Sequence, residues 1–207
     1  MKNRILVACG VAASAFFATA SNASLIMVES NEAASTENLG TFSGSLNYTA
    51  LTATTGTLAV SLANTTPGAR GGRLTAFAFN IHSVDSGASA NLTSTNTLFL
   101  NAPNASGSPF GSFTGGAGLG GTFLGGGSPN NGLAIGATGL FTFAIVASDA
   151  SLLSASSFIL GPTPPNFVVR FRGFNNGGSD KVPAEIVPAP ATLALLGLGA
   201  FAARRRR

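Results

Sequence analysis

Thr57-Leu58-Ala59-Val60-Ser61-Leu62 alternates small or polar side chains with branched apolar ones, a period of two that places one set on a buried face. Working outward, Leu39 to Tyr48 reads as the partner arm of a hairpin with Leu51 to Ala63, and Asn64-Thr65-Thr66-Pro67-Gly68 supplies the turn that follows. The alternation returns at Arg73 to His82, where Phe77, Phe79 and Ile81 share a side, and at Leu140 to Ala147, where Phe141, Phe143 and Ile145 do. It returns again at Phe167, Val169 and Phe171, which alternate with Val168, Arg170 and Arg172, while Leu92 to Leu100 is shorter and more mixed. Between the two terminal segments no stretch carries apolar residues at helical spacing over three turns, and Ala147 to Ser157 fits one short helix or a crossing loop. About seven to nine strands without βαβ alternation predict an all-β fold, an antiparallel β-sandwich of jelly-roll or immunoglobulin-like topology.

The 207 residues are 45% hydrophobic and only 9% charged, enough for one domain with short appendages. The 27 glycines and 16 phenylalanines, among abundant Thr, Ser and Asn, suit short strands and tight turns rather than a helical bundle or a disordered acidic chain. The formal charge of +4 sits at the ends, in Lys2 and Arg4 and in Arg204, Arg205, Arg206 and Arg207. Between them, Arg70, Arg73, Arg170, Arg172 and Lys181 face seven carboxylates, Glu29, Glu32, Glu37, Asp85, Asp149, Asp180 and Glu185. A mildly acidic body with scattered cations lacks the phosphate-neutralising footprint of a nucleic-acid binder.

The first 23 residues read as a secretory signal peptide. Lys2 and Arg4 precede an apolar stretch through Ala20, and Ser21-Asn22-Ala23 puts small residues before a cut between Ala23 and Ser24. The run is too short for a stable span. Leu6-Val7-Ala8-Cys9 spells a lipoprotein-like box, but only four apolar residues precede Cys9, so the reading is incidental. Removal of Cys9 with the signal leaves a mature chain without disulfides, thiol nucleophile or thiolate metal site.

At the other end, Val187-Pro188-Ala189-Pro190 is followed by the apolar Ala191 to Ala203 and then Arg204 to Arg207. Counted from Ile186, the apolar stretch as a helix spans roughly 27 Å, the lower margin of a transmembrane segment, with the arginines on the cytoplasmic side. This order of parts resembles the C-terminal region of PEP-CTERM proteins, carried by Val187 to Pro190, by Leu193-Ala194-Leu195-Leu196-Gly197-Leu198-Gly199, and by the arginine cluster. Ala189 stands where the family usually has Glu. The resemblance implies an exosortase-type transpeptidase as partner, cleavage near Pro188 to Pro190, transient residence in the inner membrane, and release to the cell surface or an exopolysaccharide matrix. The chain thus divides into a signal peptide at 1–23, a β-sandwich at 24–186 and a sorting and transmembrane segment at 187–207.

Within the body, residues 107–139 hold clustered glycines and read as a flexible, turn-rich excursion; the sharper alternative has Phe110, Phe113 and Phe123 pinning a surface loop that contacts a partner. Gly116-Ala117-Gly118-Leu119-Gly120-Gly121 matches G-x-G-x-x-G without its βαβ context. His82, the single histidine, lies three residues from Asp85 and reads as solvated beside a turn-forming Asp. Asn175-Asn176-Gly177-Gly178-Ser179-Asp180 reads as a turn, with a calcium site as the alternative. Arg170 and Arg172 read as a solubilising face, with contact to anionic polysaccharide as the alternative. Asn47, Asn64, Asn91 and Asn104 open glycosylation sequons, an expected by-product of Asn and Thr abundance.

No catalytic, metal or cofactor residues are assigned. The leading expectation is an exported non-enzymatic surface or exopolysaccharide-matrix protein. The competing one is a carbohydrate-active enzyme, which would pair two of Asp85, Asp149, Asp180 and Glu185, or a calcium-dependent glycan-binding module around Asp180. A third is an adhesin that self-associates through strand edges.

Overall fold

The computed structural model describes residues 23–124 and 126–188. The strands are, in chain order, β1 (Ala23–Ser30), β2 (Phe42–Ala50), β3 (Thr55–Asn64), β4 (Gly71–Phe79), β5 (Ser89–Thr95), β6 (Leu100–Asn101), β7 (Ala105–Ser106), β8 (Ser112–Phe113), β9 (Gly115–Gly118), β10 (Thr138–Val146), β11 (Phe167–Phe174) and β12 (Ser179–Ile186). Among the described residues every helical element is a short 3-10 turn, including two, Ala150–Leu152 and Ala155–Phe158, in the expected crossing loop. None is long and apolar enough to cross a membrane. The expected signal helix and C-terminal apolar helix fall on residues 1–22 and 189–207, outside the described set.

Ten strands form one antiparallel sheet in the order β5-β10-β3-β2-β1-β12-β11-β4-β9-β6, and β7 and β8 pair separately. This corrects the expected sandwich of two sheets. The sheet is continuous because β1 joins its halves, pairing with β2 from Ala23 to Glu29 and with β12 from Val28 to Ser30. It then curls until its outer strands meet, where the Leu92 N–H of β5 donates to Asn101 Oδ1 of β6 at 2.8 Å. The result is a nearly closed barrel-like sheet. Period-two alternation reports only that each strand has one buried face, a property shared by sandwiches and barrels.

The predicted hairpin is present, with β2 and β3 in register from Phe42 opposite Asn64 to Ala50 opposite Gly56. Its inward residues Leu46, Tyr48, Leu58, Val60 and Leu62 are buried. β10 and β11 place Phe141, Phe143, Ile145, Phe167, Val169 and Phe171 in the core, as the alternation predicts. Phe77 of β4 lies at the centre. Its ring meets Phe141 edge to face at 4.7 Å, Phe143 at 5.9 Å, Phe79 at 6.4 Å and Phe167 at 5.7 Å. Burial of each ring contributes roughly 1.5–3 kcal/mol, and favourable ring pairs about 0.5–1.5 kcal/mol more.

The glycine-rich segment is not a loose excursion. It folds back over the outer side of β4 and β11, where Phe113 and Phe123 pack with Ala76, Ala78, Ala105 and Val168 into a second core, with Phe110 partly buried against it. Arg170 Nη1 donates to Phe123 O at 3.0 Å, and Arg172 Nη1 to Gly126 O at 3.0 Å, so both side chains clamp the segment. The glycines permit close approach rather than flexibility. A Cβ on Gly116 would stand 2.3 Å from Phe77 O, and one on Gly118 would stand 2.4 Å from Thr122 O. β4 is accordingly buried on both faces, whereas the sheet from β5 to β1 is covered on one face only.

Candidate functional site

The candidates are of three kinds: the acidic side chains marked in the sequence, an open sheet face, and the places where the chain ends leave the sheet. Asp180, at the start of β12, is fully buried. Its Oδ1 accepts from Ser35 Oγ (2.7 Å), Thr36 Oγ1 (3.0 Å) and Glu37 N–H (3.0 Å). Its Oδ2 accepts from Leu39 N–H (2.7 Å), Gly40 N–H (2.9 Å) and again Ser35 Oγ (2.8 Å). Burial opposes ionisation, but the Gly40, Leu39 and Glu37 amides and the Ser35 hydroxyl outweigh it and hold the carboxyl below the ordinary range. A carboxylate so surrounded by donors fastens the 35–40 loop to β12 and has its lone pairs occupied. Asn176 Oδ1 accepts the Gly178 N–H, and Asn175 Nδ2 donates to Ala69 O, so the Asn175 to Asp180 string is a turn joining β11 to β12.

Asp85 and Asp149 do come together, at the end of the sheet where two loops meet. Ser83 Oγ donates to Asp149 Oδ1 and accepts the Asp85 N–H at 2.9 Å, while Val84 N–H donates to Asp149 Oδ2 at 3.1 Å. Asp85 accepts from the N–H groups of Gly87 and Ser148, each at 2.8 Å. The Ser83 hydroxyl lowers the Asp149 carboxyl against the opposing effects of desolvation and neighbouring Asp85, and the Ser148 and Gly87 amides lower Asp85. Both carboxylates act as loop clips. His82 donates its N–H to Ser157 O and borders a shallow pocket with Asn80, Pro162 and Asn166; Asp85 turns towards Gly87 and Ser148 instead. Glu185 lies opposite Glu29 on neighbouring strands, apart from the Asp85 and Asp149 clip.

The second place is a surface. The outward residues of β5, β10, β3, β2 and β1 line up in rungs across the strands: Ser94, Thr142, Ala59, Asn47 and Leu25 in one, and Asn91, Ala144, Thr57, Thr49 and Ala23 in the next. On the other side run Leu140, Ser61, Ser45 and Met27, then Thr138, Ala63, Ser43 and Glu29. All are at least partly exposed, and Glu29 is the single charge among these rungs. Five strands at ~4.8 Å spacing give a face roughly 19 Å wide. Its side chains are mostly short hydroxyl, amide and methyl groups, with Leu25, Met27 and Leu140 as larger exposed apolar ones, and the face is nearly uncharged. Sequence reading found β2, β3, β5 and β10 but neither β1 nor this face, because the register that aligns the rungs is a long-range property.

The third place is where the chain ends leave the sheet. The expected cleavage bond, Ala23 to Ser24, lies within β1, with Ala23 opposite Thr49 and Ser24 opposite Tyr48. Ser24 Oγ accepts the Ala155 N–H at 2.7 Å. At the end of β12, Val187 N–H donates to Met27 O at 3.0 Å, extending the ladder by one residue, and Pro188 is exposed. A groove of about 440 Å³ lies beside this exit, bordered by Phe110, Leu160, Pro165, Pro183 and Ile186. Ala189, Pro190 and Arg204 to Arg207 fall outside the described residues.

No curated protein and no solved structure matches the chain. A family model does match its last part, residues 187–207, under the description PEP-CTERM protein-sorting motif. That motif implies export and processing by an exosortase. The stretch that begins where β12 leaves the sheet, residues 187–207, carries the PEP-CTERM protein-sorting motif.

Proposed function

We propose that the protein is a non-enzymatic component of the cell surface or of its exopolysaccharide matrix, delivered through its sorting motif, and that the open face of β5, β10, β3, β2 and β1 is its contact surface. The observation that carries this reading is the asymmetry of the sheet. On one side β4 and β9 have both faces covered, the outer by the glycine-rich segment, while the strands from β5 to β1 present a nearly uncharged face of hydroxyl, amide and apolar groups. Such a face makes many hydrogen bonds of about 0.5–1.5 kcal/mol each with sugar hydroxyls, so affinity grows with the length of polymer laid across it. Asp180, Asp149 and Asp85 are each engaged in holding loops, which supports reading them as structural.

The test is retention of the purified body, residues 24–187, on immobilised exopolysaccharide from the native host. Ser94→Lys with Asn47→Lys, two exposed outward positions of one rung separated by two strands, is expected to abolish retention without shifting the unfolding transition. Undiminished retention by this folded variant overturns the assignment of the face.

A further inference from the structure

The groove of about 440 Å³ beside β12 has a mostly apolar wall, made by Phe110, Leu160, Pro165 and Pro183 among others. Among the described residues that border it, Asn166 is the buried polar one. Asn166 is 6% exposed, and its Nδ2 is buried with no hydrogen-bond partner. Native proteins leave few buried donors in that condition, because an unpaired one forfeits its hydration without return. The bare backbone of Gly161 lets the amide sit there, since a Cβ at that position would stand 2.8 Å from both Nδ2 and Oδ1.

Asn166 also ends a row that crosses the sheet. Val168 stands opposite Pro183, so two residues further the same count brings Asn166 level with Glu185. Glu185 stands opposite Glu29, and Glu29 leads through Ser43 and Ala63 to Thr138, an outer rung of the open face. Both Asn166 and Glu185 border the groove, which is therefore continuous with that face.

We propose that the groove is a binding site for an acetamido sugar. The acetyl oxygen accepts from Asn166 Nδ2, the methyl group lies against Phe110, Leu160 and Pro165, and the exposed Glu185 carboxylate accepts from a ring hydroxyl. A sugar bearing only hydroxyls would bury them against apolar walls without partners, and an acyl chain would leave Nδ2 unpaired. The acetamido group sets a methyl beside a carbonyl oxygen, matching an apolar wall that holds one orphan donor. The volume falls within the ordinary range of small-ligand sites. That the sugar belongs to a polymer lying along the row rests on the proposed reading of the open face; the choice of ligand rests on Asn166 and the wall around it.

The test titrates the full chain, in detergent micelles, with two tetrasaccharides of one backbone: N-acetylchitotetraose, and cellotetraose, which has a hydroxyl in place of each acetamido group. The acetylated tetramer is expected to shift the NMR signal of the Asn166 side-chain amide and to bind about tenfold more tightly than cellotetraose. Equal affinities, or saturation that leaves the Asn166 signal in place, overturn the proposal. Asn166→Leu keeps a branched side chain without the donor and is expected to lose about tenfold in affinity for the acetylated tetramer. Should it fail to fold, Leu160→Glu, at a 55% exposed position of the groove, takes its place. Wild-type affinity in the folded variant overturns the proposal. Ser94→Lys with Asn47→Lys alters the face away from this row and is expected to leave tetramer binding unchanged. Tetramer binding that persists while the exopolysaccharide retention test fails keeps the groove and discards its link to the polymer. No tetramer binding beside a successful retention test removes the groove and spares the face.

Discussion

The amide nitrogen of Leu39 lies 2.7 Å from Asp180 Oδ2, joining residues 141 apart in the chain. Three amides and two hydroxyls depend on this one carboxylate. Asp180→Ala leaves those donors without an acceptor and is expected to cost about 3 kcal/mol or more, read as a lower urea midpoint with an unchanged slope. Asp180→Asn keeps the volume but offers one acceptor oxygen and an intruding donor, and is expected to fall between wild type and Ala.

Acid should act through the same residue. Its folded-state carboxyl titrates below the unfolded one, so its contribution is complete above the unfolded value near 4 and is lost as pH falls through the folded value. Thermal unfolding followed from pH 6 downward is expected to show a fall in Tm below about pH 4 that Asp180→Ala does not share. An equally steep fall in that variant would assign the acid sensitivity elsewhere.

Phe77→Ala removes the ring that four others touch. A cost of about 3–5 kcal/mol is expected, against less than about 1.5 kcal/mol for the better-filling Phe77→Leu if the neighbours repack. Chemical denaturation of both variants measures the difference.

Gly116→Val tests whether the glycine-rich segment needs its close approach to β4. The added side chain starts 2.3 Å from Phe77 O, so β9 must shift and the second core of Phe113 and Phe123 must loosen. Limited proteolysis is expected to cut residues 107–132 in the variant at enzyme concentrations that leave wild type intact. Equal resistance would show that the segment does not depend on β9.

How far the sequence reached depended on how local each signal was. β3, β10 and β11 carry alternation within a single strand, and the side chains facing the main core are those the pattern names, while Val168, on the other side of β11, is buried in the second core. β1 and β12 went unread. In β1 the outward Leu25 and Met27 are apolar like the inward Ile26 and Val28, which blurs the period; β12 contains Pro183, which demotes a strand on sequence alone. Those two strands join the halves of the sheet, so missing them turned a nearly closed barrel into an expected sandwich. The glycine-rich segment misled because composition reports the entropy of ordering it but not the Cβ-free contacts that reward the ordering. Arg170 and Arg172, read as a soluble face, proved to be clamps for the same reason: their carbonyl partners lie about 45 residues upstream. The Asp85 and Asp149 pairing was considered among several, and only the fold brings it about.

The joint between β1 and β12 has a mechanical consequence. Its register holds three opposed pairs, Val28 with Ile186, Glu29 with Glu185 and Ser30 with Ala184, against seven between β1 and β2. The middle pair sets two glutamates face to face, which weakens the contact. Tension applied between the C-terminal exit and the open face loads this joint directly, because β12 carries the exit and β1 borders the face. Of the two seams that flank β1, the one to β12 has fewer rungs among the described residues and is expected to part first, while the hairpin of β2 and β3 keeps its grip.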